Sequence, residues 1–277
     1  MGLGGVGIDG TYPEVSKDLM LSKLSVLKDQ FTENYNPDIK VRVDRIKRLQ
    51  LLVEENMDSF HKALQSDFGS RHEQMSLLSD TLPVINNAKD ALKNIHKWMK
   101  PEKRRPNFPL GLLGAKAYIQ FQPYGVVGII SPWNFPLILS IAPLVEVLAA
   151  GNNAMMKLSE FVPATSELTE ELISKYFNEK EVVVINGGPK TSQEFSSLPF
   201  DHLLFTGSTA VARKVALSAA ENLVPLTLEL GGKSPSIISQ NAKIKKTVDQ
   251  IMTGKLLNSG QICISPDYVF APSDKVS

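Results

Sequence analysis

The chain predicts an α/β fold in which a mostly parallel sheet is covered on both faces by helices. Three observations carry this. From Ala115 onward, short β-rich apolar runs alternate with helical ones in βαβα order. Amphipathic helices precede them. A composition of 43% hydrophobic and 21% charged residues over 277 positions supplies a sizeable core.

The elements follow in order. Met1-Gly2-Leu3-Gly4-Gly5-Val6 opens like a myristoylation signal, but Val6 stands where that signal wants Ser or Thr, so the segment reads as a floppy leader. Val43, Ile46, Leu49, Leu52, Val53, Met57 and Phe60 recur at steps of mostly three and four, which places them on one face of a helix from about Pro37 to Asp67. A second periodic stretch from Glu73 to Met99 ends before Pro101, and Pro101 to Pro109 reads as a linker. The alternating part comprises Ala117 to Gln122, Gly125 to Ser131, Leu137 to Ala150, Asn153 to Lys157, Pro163 to Phe177, Val182 to Asn186, His202 to Thr206, Val211 to Glu221 and Leu226 to Glu229. After Gly232 come a strand (Pro235 to Ser239), a helix (Ile244 to Asn258), a loop holding Cys263, and a strand near Asp267. No internal repeat is visible.

Composition narrows the function. A formal net charge of +1, from 30 basic and 29 acidic residues, gives no reason to expect nucleic acid or an anionic surface. The single cysteine forms no intrachain disulfide and points to a reducing, cytoplasmic setting. The longest apolar stretch, Pro136 to Ala150, is interrupted by Ser140, Pro143 and Glu146, so no membrane span is expected.

In a parallel sheet, ligands gather at the carboxyl ends of strands. Asn134, Lys157, Glu160, Gly207 and Glu229 all fall there. Cys263 lies in Asn258-Ser259-Gly260-Gln261-Ile262-Cys263-Ile264-Ser265-Pro266, where glycine allows close backbone approach. A lone cysteine is either a small buried hydrophobe or, given access, a nucleophile. Glu229 ends an apolar strand beside two glycines, where burial raises a carboxylate toward a useful base; a solvated structural carboxylate is the alternative. Asn134, held in Ser131-Pro132-Trp133-Asn134-Phe135-Pro136, suits a preorganised amide donor to an oxyanion, or an Asx turn capping the next helix. Gly207 and Ser208 join a strand to a helix amino end, which offers a phosphate site. No G-x-G-x-x-G fingerprint is present. Lys157 and Glu160 suit ribose hydroxyls, the carboxylate disfavouring a 2′-phosphate; in isolation they pass for surface charges.

Read together, Pro132-Trp133-Asn134-Phe135-Pro136, Lys157-Leu158-Ser159-Glu160, Phe205-Thr206-Gly207-Ser208-Thr209, Leu228-Glu229-Leu230-Gly231-Gly232-Lys233 and Gly260-Gln261-Ile262-Cys263 resemble the motif series of the aldehyde dehydrogenase superfamily. The resemblance spans roughly Phe31 to the last residue, and Gln261 to Pro272 is most similar to the class 3 and coniferyl aldehyde dehydrogenase branch. It implies a leader and first helix at 1–36, a Rossmann-like NAD(P)-binding domain with its N-terminal helices at 37–230, and the beginning of an α/β catalytic domain, cut short, at 231–277. It makes Cys263 the nucleophile, Glu229 the general base and Asn134 the oxyanion donor. Lys157 and Glu160 would hold the adenosine ribose, Gly207 and Ser208 would lie along the pyrophosphate, and Trp133 joins the cofactor-binding set.

The implied reaction oxidises a small aliphatic or aromatic aldehyde to a carboxylic acid through a thiohemiacetal and a thioester. It needs no metal. The implied cofactor is NAD, favoured over NADP by Glu160 alone, and the full-length form is expected to be a homo-oligomer. Ala212 stands where many relatives carry a second glycine, so its methyl group is expected to crowd the pyrophosphate or shift the helix start. Two alternatives stay open: an acylating relative, against which Glu229 argues, and a non-catalytic structural or interaction module with exposed apolar surface.

Overall fold

Ser16 and Asp38 begin the first two helices by accepting hydrogen bonds from the Leu19 and Val41 amides. The computed structural model describes residues 13–275, so the leader reading lies outside the described residues. Helices α1 (Lys17–Glu33), α2 (Ile39–Glu55), α3 (Met57–Phe68) and α4 (Glu73–Ser76) lead through a π-helical turn (Leu77–Thr81) into α5 (Leu82–Trp98). The one helix expected from Pro37 to Asp67 is thus two. Asn56 leaves helical geometry (φ −120°, ψ 19°), and its side-chain amide turns back to the Leu52 carbonyl. The stretch from Glu73 to Met99 is likewise interrupted by the π turn.

The segment expected as a linker contains β1 (Glu102–Arg104), which pairs antiparallel with β2 (Ala117–Ile119). The run from Ala117 therefore joins a separate two-stranded ribbon rather than the main sheet. Charged residues at 102–104 obscured a strand whose backbone partner lies fifteen residues or so onward.

The main sheet comprises β3 (Val126–Ile130), β4 (Asn153–Lys157), β5 (Val182–Ile185), β6 (His202–Gly207) and β7 (Leu226–Leu230). Its crossovers are α6 (Ile138–Ala149), α7 (Pro163–Tyr176), α8 (Pro189–Ser196) and α9 (Thr209–Ala220). The order is β5-β4-β3-β6-β7 and every pairing is parallel, the Rossmann-like arrangement expected. Of these crossovers, only α8, one short helix, was absent from the sequence reading. After the sheet come β8 (Ser234–Ile237), α10 (Ile244–Leu256) and β9 (Pro266–Phe270), with β8 and β9 paired in parallel.

Strand alternation divides the core. Val127, Ile129, Ala154, Met156, Val182 and Val184 face a cluster with residues of α2, α3, α5, α6 and α7. Val126, Ile130, Met155, Val183 and Ile185 face the opposite cluster with α1, α8 and α9. Because Met20, Leu24 and Leu27 of α1 are buried in that second cluster, packing crosses the boundary expected at residue 36. At the entry to β3, Gly125 has φ +142°, and a Cβ there would lie 2.1 Å from the Asp201 carboxylate that accepts from Val126 N–H.

Carboxylates from the N-terminal segment complete three helix starts in the sheet layers. Asp80 accepts from Leu137 and Ile138 N–H at the start of α6, Asp67 from Ala164 and Thr165 N–H at α7, and Glu14 from Lys190 and Thr191 N–H at α8. None of the three helices has a capping side chain of its own. Elsewhere Arg45 and Arg48 of α2 clasp Glu181 ahead of β5, each at 2.9 Å. Burial alone would raise the Glu181 carboxyl, but the Arg48 hydrogen bonds and both positive charges together hold it below its usual range.

Candidate active site

Strand register brings the singled-out residues to one edge. Ile130 lies beside both Lys157 and Phe205, and Thr206 lies beside Glu229. The edge thus reads β4 with Lys157, β3 leading to Asn134, β6 with Gly207, and β7 with Glu229. Winding reverses between β3 and β6, which opens the crevice where such sheets bind ligands. Three strand spacings separate β4 from β7, about 14 Å.

The loop after β3 is held from behind. Arg71 donates to the Asn134 carbonyl (3.1 Å), to Ser79 Oγ (2.8 Å) and to Asp80 (2.5 Å). Its guanidinium also lies over the rings of Phe68 (4.6 Å) and Phe135 (5.1 Å). The Arg71 and Asp80 side chains are 2% and 0% exposed. Burial raises the Asp80 carboxyl above its ordinary range, opposed by the Arg71 charge and the amides of Ile138 and Leu137. Neither residue was singled out in the sequence. A signal was there: extending the buried stripe Ile95, Ala91, Ala88, Val84 one step back lands on Asp80.

The Cys263 loop docks on the same segment. The Asn134 side-chain amide donates to the Gln261 carbonyl (3.0 Å), and the Asn258 amide donates to the Asn134 carbonyl (3.0 Å). Asn258, Ser259 and Gly260 are all left-handed, with φ of 48°, 55° and 77°. For the two non-glycine residues this costs roughly 1–2 kcal/mol each, and such strain collects at working sites. A turn closed by Ser265 N–H on the Ile262 carbonyl then presents Cys263, which is free and exposed. A thiol packed as a buried hydrophobe is not what the structure shows.

Glu229 shares the edge but is exposed, contrary to the burial expected at a strand end. Little packs over this strand: Leu226, Thr227 and Leu230 of β7 are only half-buried and Leu228 is exposed, whereas β5, at the opposite margin of the sheet, is buried throughout. Among the described residues no hydrogen bond joins Glu229 to the Cys263 loop.

Lys157 and Glu160 depart from surface charges. Lys157 is 1% exposed; its ammonium donates to the Leu158 carbonyl and reaches Glu160 at 3.4 Å. Burial lowers its pKa, opposed by the charges of Glu160 and Glu14. Next to the pair, Pro13, Ser159, Pro163, Asn186 and Gly187 line a small depression.

Across the crevice, Ser208 caps α9 by accepting from Val211 N–H (3.3 Å), and Ser208 to Ala210 are exposed. This open helix amino end suits an anionic pyrophosphate, and the buried cation with its carboxylate suits ribose hydroxyls, so the residues fit a dinucleotide. A Cβ at Gly207 would meet the buried Phe205 ring at 2.5 Å, which gives this glycine a packing reason as well. Ala212 is buried in the core, and its N–H bonds the Ser208 carbonyl at 2.9 Å, so the helix start expected to shift is regular. Trp133 is 38% exposed, with its ring centroid 6.5 Å from that of Phe68.

The model of the aldehyde dehydrogenase family matches residues 11–276. The chain is 52% identical over 241 residues to a probable coniferyl aldehyde dehydrogenase of Caulobacter vibrioides, covering 87% of this chain and 50% of that protein. It is 42% identical over 271 residues to the coniferyl aldehyde dehydrogenase of a Pseudomonas species, covering 98% and 55%. Among solved structures, the substrate-bound state of Staphylococcus aureus AldH superposes with a TM-score of 0.88 at 35% identity, over 92% of this chain and 55% of that one. Mycobacterium tuberculosis aldehyde dehydrogenase complexed with NAD+ gives 0.82 at 26% identity, over 96% and 55%. The chain spans about half the length of the curated relatives it matches.

Proposed function

The chain belongs to the aldehyde dehydrogenase family, and from that premise we propose that it carries the nucleophile and cofactor site of an NAD(P)-dependent oxidation of an aldehyde to a carboxylic acid. The observation that carries the reading is the Asn134 to Gln261 hydrogen bond, which ties the β3 loop to the loop presenting an exposed thiol. An Asn amide has two N–H donors. One holds the Gln261 carbonyl and the other is available to an oxyanion.

The Cys263 thiolate adds to the aldehyde carbon, and the oxygen of the resulting thiohemiacetal takes the negative charge, stabilised by Asn134. When bound, the cofactor supplies the hydride acceptor. Glu229, reached by solvent at the sheet edge, takes a proton from the water that hydrolyses the thioester. Lys157 and Glu160 hold the adenosine ribose, Gly207 and Ser208 lie along the pyrophosphate, and Trp133 lies among the cofactor contacts. Glu160 favours NAD over NADP by repelling a 2′-phosphate. The names of the two relatives support a conjugated aromatic aldehyde as substrate, with aliphatic aldehydes the alternative.

The test compares aldehyde-dependent NADH formation and ester hydrolysis in the parent chain and in Cys263→Ser. Loss of both activities in the variant is expected; retention of either would remove Cys263 as nucleophile. A second reading, a non-catalytic interaction module and a homo-oligomer in its complete form, is favoured by one observation. Among the described residues from 231 on, only Ser265 is buried, while Ile237, Leu256, Ile264 and Phe270 are exposed. A parent chain that binds NAD yet oxidises no aldehyde would favour it.

A further inference from the structure

We propose that Asp58, His61 and Glu73, on helices α3 and α4, form a binding site for a divalent transition metal of the zinc type. Asp58 and His61 are three apart on α3 and so share a face, and Glu73 opens α4 opposite them. One ligand atom from each lies within 4.8 Å of the others. Zinc bonds of 2.0–2.1 Å in a tetrahedron place neighbouring ligands about 3.4 Å apart. His61 Nδ1 and Glu73 Oε1 are 3.6 Å apart, and the exposed Asp58 carboxylate is free to rotate inward.

The independent observation is His61 itself. It is 7% exposed, and its Nδ1 is buried with no hydrogen-bond partner. The other nitrogen, Nε2, lies 3.3 Å from Thr81 Oγ1, whose hydroxyl donates to the Leu77 carbonyl at 3.3 Å. With the Thr81 proton on the Leu77 carbonyl, Thr81 accepts from Nε2–H, and in that tautomer Nδ1 presents a lone pair toward the Glu73 carboxylate. Two electron-rich atoms in that relation are bridged either by a proton, as an ion pair, or by a metal cation. An imidazole locked by a hydrogen bond through its far nitrogen is the usual setting of a metal-ligating histidine. One nitrogen with two carboxylates suits zinc or a neighbouring transition metal rather than magnesium or calcium, which prefer an all-oxygen shell. Thr81 belongs to the π turn that also carries Asp80, so an ion here would stiffen the support behind Asn134.

Zn2+ alone is titrated by calorimetry near neutral pH into the chain carrying Cys263→Ser, which removes the competing thiol. One equivalent is expected to bind, about tenfold or more weaker in Asp58→Asn and in Glu73→Gln, and not at all in His61→Asn. Both carboxylates are exposed, so their variants decide the matter even should His61→Asn fail to fold. Mg2+ is expected to give no binding. Absence of Zn2+ uptake in the parent, affinity unchanged in the carboxylate variants, or Mg2+ binding as tight as Zn2+ would each overturn the site and show His61 and Glu73 to be only an ion pair.

Discussion

Replacing Asp80 by Asn tests the support behind the β3 loop. The substitution keeps the shape and an acceptor for the Leu137 and Ile138 amides, but it removes the negative charge 2.5 Å from Arg71. The Arg71 side chain is 2% exposed, so its charge would stay buried without a counterion. Breaking such a pair costs about 3–5 kcal/mol. At roughly 2–4 °C per kcal/mol for a chain of this size, the melting temperature should fall by about 6–20 °C, measurable by scanning calorimetry or circular dichroism. Arg71→Met with Asp80→Asn removes both charges and should be more stable than Asp80→Asn alone, because no uncompensated charge remains. A loss below about 1 kcal/mol in the single variant, or a double variant equal to the sum of the singles, would refute the argument.

Three further outcomes follow. Asn134→Ala should lower kcat by about 10²–10³ with a smaller change in KM, since it removes an oxyanion donor; steady-state kinetics on the active protein would show this, and an effect confined to KM would contradict it. Glu160→Gln should shift the NAD over NADP preference in kcat/KM toward NADP by about tenfold or more, because like-charge repulsion of the 2′-phosphate is gone. Glu181 has a folded pKa below its unfolded value of about 4.3, so its contribution is fully present above that value and is lost as pH falls through the folded one. Urea midpoints followed from neutral to acid pH should therefore drop less steeply in Glu181→Gln than in the parent.

The wound sheet was legible because each strand is a short apolar run bounded by a helical period, as in Val126 to Ile130 and Val182 to Ile185. What periodicity missed was set by single side chains reaching across. Asn56 ends one helix by bonding its own preceding turn, yet the apolar stripe continues through Met57 and Phe60 and hides the break. The charged strand Glu102–Arg104 offered no apolar pattern at all. In the site, the spacing of Asn134, Lys157, Glu160 and Gly207 after strands was enough to place them on one edge. The burial of Lys157 and the exposure of Glu229 were not readable, because each depends on which distant segments pack over the strand end, and local sequence does not reveal that. Arg71 and Asp80 went unremarked because their partnership closes only when the β3 loop arrives.

The three borrowed helix caps carry a consequence for how the chain reaches its native state. Leu137, Ala164 and Thr191 receive their carboxylates from residues 57, 97 and 177 positions earlier, so these helix starts stay incomplete until distant parts of the chain have met. Such contacts are slow to close, and they bind the N-terminal segment and the sheet layers into one cooperative unit. A fragment beginning near residue 115 would carry three helices with bare amino ends, and would lose far more than the apolar area its missing neighbours cover.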